Sequence, residues 1–342
     1  MILTVLTLLT LSVHAAAGGA TTNTPQGPTP ATPATSPRAA APVDDKVLAI
    51  QVALDRAGFS PGAIDGQMGG NTRLALEAFR KHRGGEPSLD MPAVSEYAVT
   101  PGDTRGPFAE SIPQDLAEQA SLTTLAYTSV LEALAERFHT TPAFLQRLNP
   151  EASFSAGESI RVPNVEPFIA PVERLVVSAE TVKAAAKERA GRSNSGSEPP
   201  LILQRPDVVV TVTKGTSALL VTDASGKILF HAPVTTGSER DPLPIGEWKV
   251  NGLQFNPVFH YNPKLFWDAD PSHSKARIPP GPNNPVGVVW IDISKEHYGI
   301  HGTPEPSTIG RAQSHGCVRL TNWDAVRLAG LVKPGTRVVF AE

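Results

Sequence analysis

Apolar positions along the chain follow two different periods. Between residues 44 and 84, Val47, Ile50 and Leu54 recur at helical spacing, which predicts an amphipathic helix. After residue 207, short runs rich in β-branched residues alternate with turn residues, a pattern typical of strands. The chain is therefore predicted to be multidomain, with a small helical unit near its start and a β-rich domain at its end.

The helical unit, residues 44–84, is predicted to hold two helices. Gly58 ends the first, because a residue without Cβ suits a helix C-terminus. Residues 61–66 contain a proline and two glycines and read as a turn. Asn71 or Thr72 is expected to cap the second helix.

Residues 125–164 form a further predicted unit of two helices and a strand. One helix is expected over 130–139, and Thr141 with Pro142 at the first position begins another. Residues 157–163 read as a closing strand. The Pro-rich stretch 85–124 is treated as an irregular connector.

The β-rich domain, residues 207–341, is expected to end with a helix over 323–332, capped by Asn322. A long loop, 257–285, carries Phe259, Tyr261, Phe266 and Trp267. Long loops in compact domains are often functional. Two interpretations stay open: a flap over a substrate cleft, or a satellite hydrophobic core under a loop.

The remaining segments are predicted to lie outside folded units. Residues 1–17 read as a signal peptide, because an apolar run shorter than a typical transmembrane helix precedes small residues. A retained membrane anchor is the alternative. The Pro-, Thr- and Ala-rich segment 18–43 and the segment 165–206 are predicted linkers.

Composition excludes some classes of protein. The 342 residues carry 30 basic and 33 acidic side chains and a net charge of −3, which gives no electrostatic basis for binding nucleic acid. The single cysteine excludes an intramolecular disulfide.

The cysteine is the main candidate for chemistry. Cys317 follows His315 and Gly316, and His301 lies upstream before Gly302. A thiol with a pKa of about 8.5 needs a neighbouring base to become a nucleophile at neutral pH. His315 is a second candidate for that base, because residues two apart on a strand share a face.

A metal site is the rival interpretation of these histidines. His297 and His301 would share a face of a helix, but their surroundings read as strands. Four residues of strand span about 13 Å, too far for one ion. The sequence therefore predicts neither a metal nor another cofactor.

The run His301-Gly-Thr, Ile309-Gly310 and Ser314-His-Gly-Cys-Val-Arg319 resembles the active-site signature of the YkuD-type L,D-transpeptidases, in particular the ErfK-like branch. Residues 236–237, 242–250 and 281–287 resemble further segments of that family, with Val286 in place of its usual Leu. The resemblance covers about residues 207–341. It implies a β-rich domain, sandwich-like or barrel-like, with a helix after the active-site cysteine.

The resemblance also implies roles for single residues. Cys317 is the nucleophile, His301 is the general base, and the carbonyl of Gly302 orients the base. The amides of Gly316 and Cys317 are oxyanion donors. Three residues are expected on the substrate side: Ser314, His315 and Arg319, the last as a partner for a substrate carboxylate.

The two N-terminal units resemble wall-binding modules. The pattern of Gln51, Leu54, Gly58, Gly66 and Phe79 resembles the helical peptidoglycan-binding repeat. Residues 125–164 resemble LysM, a module that binds N-acetylglucosamine polymers, and residues 97–104 resemble its opening strand. Peptidoglycan glycan and stem peptides are therefore the expected partners.

The function implied is cleavage after the third residue of a peptidoglycan tetrapeptide stem, in the periplasm or cell envelope. The acceptor stays open: a stem amine gives a 3→3 cross-link, water gives a tripeptide, and a lysine attaches a lipoprotein to the wall. The other alternative is a non-catalytic wall-binding protein. A papain-like hydrolase is disfavoured because it typically places Cys before His in sequence.

Overall fold

The computed structural model describes residues 43–171, 173, 175–184 and 205–342. The predicted signal peptide 1–17 and residues 18–42 of the predicted linker lie outside the described residues. Of the helices described, none has the length and apolarity to cross a membrane. These helices are α1 (Asp45–Arg56), α2 (Gly70–Arg83), α3 (Leu116–Gln119), α4 (Val130–Arg137), α5 (Pro142–Leu148) and α6 (Asn322–Leu331).

The strands are β1 (Val94–Ala98), β2 (Ser159–Pro163), β3 (Leu175–Ser178), β4 (Val208–Thr213), β5 (Ala218–Asp223), β6 (Ile228–Pro233), β7 (Gly246–Phe255), β8 (Phe259–Tyr261), β9 (Ala276–Ile278), β10 (Val289–Ile293), β11 (Gly299–His301), β12 (Val318–Arg319) and β13 (Arg337–Ala341). Nine of them form one sheet in the order β12-β11-β10-β7-β13-β4-β5-β6, with β3 paired to β7. β1 pairs with β2, and β8 pairs with β9.

Helix α6 and the large sheet build the main core. Strand β4 alternates buried and half-buried positions, with Val208, Val210 and Val212 inside. Leu328 of α6 is fully buried in the same cluster. Each such side chain contributes about 1.5–3 kcal/mol by burial. The β-rich fold with a helix after Cys317 confirms the predicted fold class.

The cap of α6 differs from the prediction. The Thr321 side chain accepts from the N–H of Asp324 and is the N-cap, so α6 begins at Asn322. The predicted cap, Asn322, is instead fully buried with its amide bonded to other parts of the chain. A helix cap and a buried amide draw on the same residue type, and the sequence does not distinguish them.

The helical unit has the two expected helices. The Asp44 side chain caps α1, and Gly58 follows it with a left-handed φ of 82°. Helix α2 begins at Gly70 with Gly69 as its N-cap, so neither Asn71 nor Thr72 caps it. Their side chains have other partners: Asn71 donates to Ile309 O, and Thr72 accepts from Gln51 Nε2.

The second unit is larger than the predicted range 125–164. Helix α5 begins at Pro142 with the Thr141 side chain as cap, as predicted. Strand β2 pairs antiparallel with β1, which lies within the segment 85–124 that the sequence treats as a connector. We call β1, α4, α5 and β2 the βααβ unit, and residues 99–129 the insert. The resemblance of residues 97–104 to an opening strand indicates part of β1, but its pairing with β2, some sixty positions away, has no local sequence signal.

The two N-terminal units share a hydrophobic cluster. Leu48 and Val52 of α1 pack with Leu134 of α4 and Phe144 of α5. The helical unit also packs on the large sheet, where Phe59 bridges to His231 of edge strand β6. That contact covers a sheet edge that would otherwise expose unpaired backbone groups.

Two predicted irregular segments contain structure. The segment 165–206 contributes β3, which pairs with β7 of the large sheet, and its residues 185–204 lie outside the described residues. The loop 257–285, called the flap below, holds the β8–β9 pair and a short 3-10 helix, Pro263–Leu265. The conformation of β3 depends on a tertiary contact, because its partner β7 is distant in sequence, whereas β8 and β9 pair within the flap.

Candidate active site

Strands β11 and β12 bring the candidate catalytic residues together. They pair in parallel, with Ile300 opposite Val318 and His301 opposite Arg319. Because side chains alternate along a strand, Cys317, immediately before β12, shares a face with Arg319 and therefore with His301. The neighbour of Cys317 on β11 is Gly299, which has no side chain. The thiol and the imidazole thus lie on the same side of the sheet.

The ring of His301 is held on one face and at one nitrogen. The side chain is 4% exposed, and Nδ1 lies 2.7 Å from the carbonyl oxygen of Gly302. A carbonyl only accepts, so Nδ1 carries the hydrogen and Nε2 is left unprotonated. The Trp290 ring stacks on the imidazole, with centroids 5.4 Å apart and planes 20° apart. This tautomer and orientation suit a general base acting through Nε2.

The surroundings of His301 keep it neutral. Burial lowers its pKa, and the charge of Arg319 lowers it further, to about 3, although the Gly302 hydrogen bond opposes both. The imidazole is therefore neutral at physiological pH, which is the protonation state that a general base requires.

Cys317 is half-buried and is a free thiol. Burial raises the pKa of this thiol, and this outweighs the N–H of Gly299 and the charge of Arg319, which lower it. The resting pair is therefore a neutral thiol and a neutral imidazole. The thiol must lose its proton to a base as it attacks, rather than beforehand.

The turn before Cys317 depends on a glycine. Gly316 has a left-handed φ of 100°, and a Cβ there would lie 2.5 Å from the Tyr298 ring. Any other residue would meet both backbone strain and a clash. The turn therefore brings the backbone amides of Gly316 and Cys317 close to the thiol, where an oxyanion donor is needed.

Ser314 differs from its prediction as a substrate contact. Its side chain is 3% exposed, and its hydroxyl donates to Cys317 O at 2.6 Å. Its amide donates to Thr236 O. In this arrangement Ser314 stabilises the turn that carries the nucleophile and presents no free hydroxyl to a ligand.

Arg319 lies at the active site with spare hydrogen-bonding capacity. Its Nε is buried and has no hydrogen-bond partner among the described residues. Burial lowers the pKa of this guanidinium, against the charges of Cys317 and Glu305. An unpaired buried N–H beside the thiol is suited to a carboxylate or carbonyl of a ligand.

His315 faces the flap rather than Cys317. Its Nε2 lies 2.7 Å from Asp268 Oδ1, and Phe266 meets its ring edge-on with centroids 5.0 Å apart. Trp267 is also close to His315, and Arg240 lies over the Trp267 ring at 4.3 Å. The flap thus reaches the residue two positions before the nucleophile.

The insert holds the other side of the flap. Leu125 of the insert is fully buried with Tyr261 and Ile278 of the flap. Asp115 pairs with His273 at 3.0 Å. The hydrophobic cluster confirms the satellite core predicted for residues 257–285. The flap also contacts His315, and its cover of a substrate cleft stays a prediction.

Two residues at the site have no assigned role in the sequence analysis. Trp290 was assigned only to a strand, although it stacks on His301. Asn322 was assigned as a cap, although its buried amide contacts the backbone of Gly302. For Trp290, the sequence does contain a signal: a tryptophan and the signature histidine lie on two neighbouring predicted strands. No local signal exists for the second.

A cavity of about 200 Å³ lies where three parts of the chain meet. Its lining comes from the turn before α2, from the start of α2, from α5 and from the active-site loop, residues 302–316. Arg147 lines it with one nitrogen bonded to Asp65 O and its plane over the Phe144 ring. The lining residues are Pro61, Ala63, Asp65, Gln67, Gly69, Asn71, Thr72, Thr141, Ala143, Phe144, Arg147, Pro306, Ser307 and Arg311.

The described residues contain no candidate metal site. No three His, Cys, Asp or Glu side chains among them are arranged to hold an ion. His297 lies in the turn before β11, and its Nε2 is near the carboxylate of Glu296. His297 and His301 therefore do not share a helix face.

Comparison with known proteins matches this geometry to one family. The family model for the YkuD L,D-transpeptidase catalytic domain matches residues 207–340. ErfK/SrfK of Escherichia coli K12, named as an L,D-transpeptidase, is 31% identical over 225 residues, covering 60% of this chain and 70% of that protein. YkuD of Bacillus subtilis 168, also so named, is 26% identical over 211 residues, covering 61% and 91%.

Solved structures give a weaker match. An L,D-transpeptidase from Mycobacterium smegmatis aligns with 40% of this chain and 59% of its own, at 19% identity and a TM-score of 0.33. The chain thus covers about three fifths of that solved structure.

Proposed function

Because this chain belongs to the YkuD-type L,D-transpeptidase family and is an L,D-transpeptidase, we propose that it acts on peptidoglycan tetrapeptide stems through a cysteine acyl-enzyme. The observation that carries this proposal is the neutral His301, with Nδ1 on Gly302 O at 2.7 Å, on the same sheet face as Cys317. A nucleophile, an oriented base and nearby backbone donors are the parts that acyl transfer requires.

In the first half-reaction, Cys317 Sγ attacks the carbonyl carbon of the third, diamino-acid residue of the stem. His301 Nε2 takes the thiol proton as the S–C bond forms. The amides of Gly316 and Cys317 stabilise the oxyanion. When the C–N bond breaks, the proton passes from His301 to the leaving amine of D-Ala, which leaves a thioester on Cys317.

In the second half-reaction, an acceptor attacks the thioester and gives its proton to His301. The new C–N or C–O bond replaces the C–S bond, and the proton returns to the thiolate. A side-chain amine of another stem gives a 3→3 cross-link, water gives a tripeptide, and a protein lysine gives an attached lipoprotein. The stem amine is our first choice because the matched domain is a transpeptidase, and a transpeptidase transfers the acyl group to an amine, here forming a cross-link in cell-wall biogenesis.

The substrate side of the cleft is proposed to include Arg319, His315 and the flap. Arg319 has a buried Nε with no partner among the described side chains. A stem peptide carries carboxylates, which guanidinium groups bind well. The half-exposed Trp267, with Arg240 over its ring, offers a flat apolar surface at the cleft mouth.

The test uses the full chain and the Cys317→Ala variant with disaccharide-tetrapeptide muropeptides. Mass spectrometry of products and of intact protein reads the outcome. Dimers formed with loss of one D-Ala, and a tripeptide adduct on wild type alone, are expected. Tripeptide products without dimers would indicate carboxypeptidase activity instead. No turnover and slow thiol labelling of Cys317 would contradict the proposal and favour a non-catalytic wall-binding protein.

We further propose that the helical unit and the βααβ unit hold glycan beside the active site, as the peptidoglycan-binding and LysM resemblances imply, with the enzyme in the periplasm or cell envelope. The cavity next to the active-site loop supports this proposal. Asp65 Oδ1 already accepts hydrogen bonds from Gln51 Nε2 and Gln67 N, whereas Arg311 is exposed and lies 3.6 Å from where a Gly69 Cβ would be. The cavity thus offers cationic and amide groups to a polar, acidic ligand.

Pull-down with purified peptidoglycan tests the glycan proposal without turnover. In a Cys317→Ala background, the double variant Arg147→Ala/Arg311→Ala is expected to lose about tenfold in affinity. Lys214→Ala removes an exposed cation paired with Glu342 and is the matched control. Equal binding by all three proteins would contradict a glycan site in the cavity.

A further inference from the structure

The side chain of Asn322 occupies space that two glycines leave open. A Cβ on Gly287 would lie 2.0 Å from Asn322 Oδ1, and a Cβ on Gly302 would lie 2.1 Å from it. The amide therefore lies directly against the backbone of Gly302. Since Gly302 O accepts from His301 Nδ1 at 2.7 Å, a shift of the Asn322 side chain moves the group that orients His301.

Hydrogen bonds on both sides fix which end of the amide faces Gly302. Asn322 Oδ1 accepts from the N–H of Val288 at 3.1 Å. Its Nδ2 donates to Glu136 Oε1 at 2.8 Å and to Pro282 O at 3.2 Å. A donor on one side and acceptors on the other exclude the flipped amide. Of these partners, only Glu136 comes from outside the catalytic domain.

Glu136 is a buried carboxyl with no role in the proposed chemistry. It lies in α4 of the βααβ unit, is 8% exposed, and also accepts a hydrogen bond from the Tyr127 hydroxyl. A buried carboxyl is costly unless its partners satisfy it. Its two partners, Tyr127 and Asn322, hold it in one position. Glu136 and Asn322 are 186 positions apart in sequence.

We propose that Glu136 is a positioning residue for His301. By accepting from Asn322 Nδ2, it holds the amide against Gly302 and so keeps the Gly302 carbonyl on His301 Nδ1. The βααβ unit thereby contributes a group to the alignment of the general base, in addition to any glycan binding. The inference rests on the proposed role of His301 as that base.

The test compares Glu136→Met with Glu136→Gln in the full chain. Met has similar volume and no acceptor oxygen for the amide, whereas Gln keeps one. We expect kcat of E136M on muropeptide donors to fall about tenfold or more with KM within about twofold, since a misplacement of about 1 Å can cost ~100-fold. E136Q is expected to retain kcat within about threefold, because its oxygen still accepts from Asn322.

Ser60→Ala is the matched control. Ser60 Oγ donates to Asp324 Oδ2 at 2.8 Å, so it also links an N-terminal unit to α6 by a buried hydrogen bond. It does not touch Asn322 or Gly302. We expect S60A to lower the thermal midpoint, as E136M does, while kcat per folded molecule stays at the wild-type value.

Imidazole ¹⁵N NMR gives a readout that needs no turnover. The His301 signals are assigned by their loss in His301→Gln. E136M is expected to shift the protonated Nδ1 signal of His301, and S60A is expected to leave it unchanged. If wild type itself shows no turnover, the proposed function fails while this comparison still tests the positioning of His301.

The inference is overturned if folded E136M keeps kcat within about twofold of wild type and leaves the His301 nitrogen shifts unchanged. Should E136M not fold, Asn322→Asp replaces it, because Asp keeps an acceptor for Val288 but places a carboxylate against Glu136. We expect kcat of the Asn322→Asp variant to be low at pH 8. It should recover as the pH falls and either the new carboxyl or that of Glu136 gains a proton. A pH profile parallel to wild type would contradict the proposal.

Discussion

His301 and His139 are two buried histidines built into similar surroundings. His301 is 4% exposed and stacks on Trp290 at 5.4 Å; His139 is 3% exposed and stacks on Trp323 at 5.3 Å. Each has one partner at Nδ1. For His301 this is the carbonyl of Gly302 at 2.7 Å, and for His139 it is the carboxylate of Asp55 at 3.0 Å.

The partners differ in charge: a neutral carbonyl lies beside His301, and a carboxylate lies beside His139. The neutral carbonyl leaves His301 with a pKa of about 3, set by burial and by Arg319. Around His139, Asp55 also binds Arg327 of α6, which joins the helical unit, the βααβ unit and the catalytic domain. Burial alone would raise the pKa of Asp55, but His139 and Arg327 bring it to about 2.

The largest expected effect separates the two histidines by activity. His301→Ala removes the general base, and turnover is expected to fall by about 10³-fold. The thermal midpoint of His301→Ala should stay close to that of wild type. Muropeptide turnover and a melting curve measure both. Activity within about tenfold of wild type would contradict the role of His301 and reopen His315 as the base.

His139→Ala should do the reverse. It leaves the carboxylate of Asp55 buried with Arg327 as its remaining charged partner, so unfolding free energy is expected to fall by about 3 kcal/mol. Below the melting transition, kcat per folded molecule should match wild type. Urea unfolding and turnover at low temperature measure the two quantities. A large loss of kcat in folded H139A would show that the two histidines are not independent.

A third test concerns a buried carboxyl whose pKa moves the opposite way from that of Asp55. Burial raises the pKa of Glu136 to about 7, against hydrogen bonds from Tyr127 and Asn322. Its stabilising contribution is therefore complete below about pH 4.5 and is lost as pH rises through about 7. In Glu136→Gln, the stability difference between pH 5 and pH 8 should shrink by up to about 3 kcal/mol.

Urea unfolding at the two pH values measures that difference. Lys214→Ala, which removes an exposed cation paired with Glu342 and leaves Glu136 untouched, is the control and should keep the wild-type pH dependence. If E136Q behaves as wild type, the carboxyl of Glu136 does not titrate in this range.

A fourth test concerns the charge beside His301. Because the pKa of His301 is about 3, its imidazole stays neutral at pH values well below the usual histidine pKa. We therefore expect kcat/KM to stay high down to about pH 4–5. Arg319→Met removes a nearby positive charge, which raises the pKa of His301 and moves the acid limb to higher pH. The pH profile of kcat/KM measures this. An unmoved limb would show that burial alone controls His301.

The smallest expected effect lies at the flap. Asp268→Asn weakens the contact with His315, but the Asp268 side chain is 47% exposed. Exposed pairs of this kind contribute about 0.2–1 kcal/mol. KM is therefore expected to change by less than about threefold, with kcat unchanged. A large loss of kcat would give His315 a part in catalysis that its contacts with the flap do not explain.

Sequence reasoning reached the centre of this site because its information is local. The spacing around Cys317 and the pattern of short strands together indicated a β-rich domain and one pair of candidate residues. The structure adds the geometry that local patterns lack. β11 and β12 pair in parallel, and that register puts His301 beside Arg319.

The parts that were missed depend on contacts between distant residues. β1 lies in the predicted connector, where only residues 97–104 resemble a strand, because its partner β2 lies beyond two helices and the insert. Asn322 read as a cap because its partner Glu136 is 186 positions earlier. Ser314 read as a substrate contact because the resemblance gives no direction for its hydroxyl. Each miss reflects a pairing that no window of neighbouring residues contains.

The junction between the insert and the flap has a consequence for engineering this enzyme. Leu125 N donates to Pro280 O, and Leu125 O accepts from Asn283 N, both at 2.9 Å. Gly281 lies so close that a Cβ there would be 2.2 Å from Leu125 O. The insert and the flap therefore form one structural unit. A chimera that exchanges one of them for a homologous segment must exchange both, and must keep glycine at position 281.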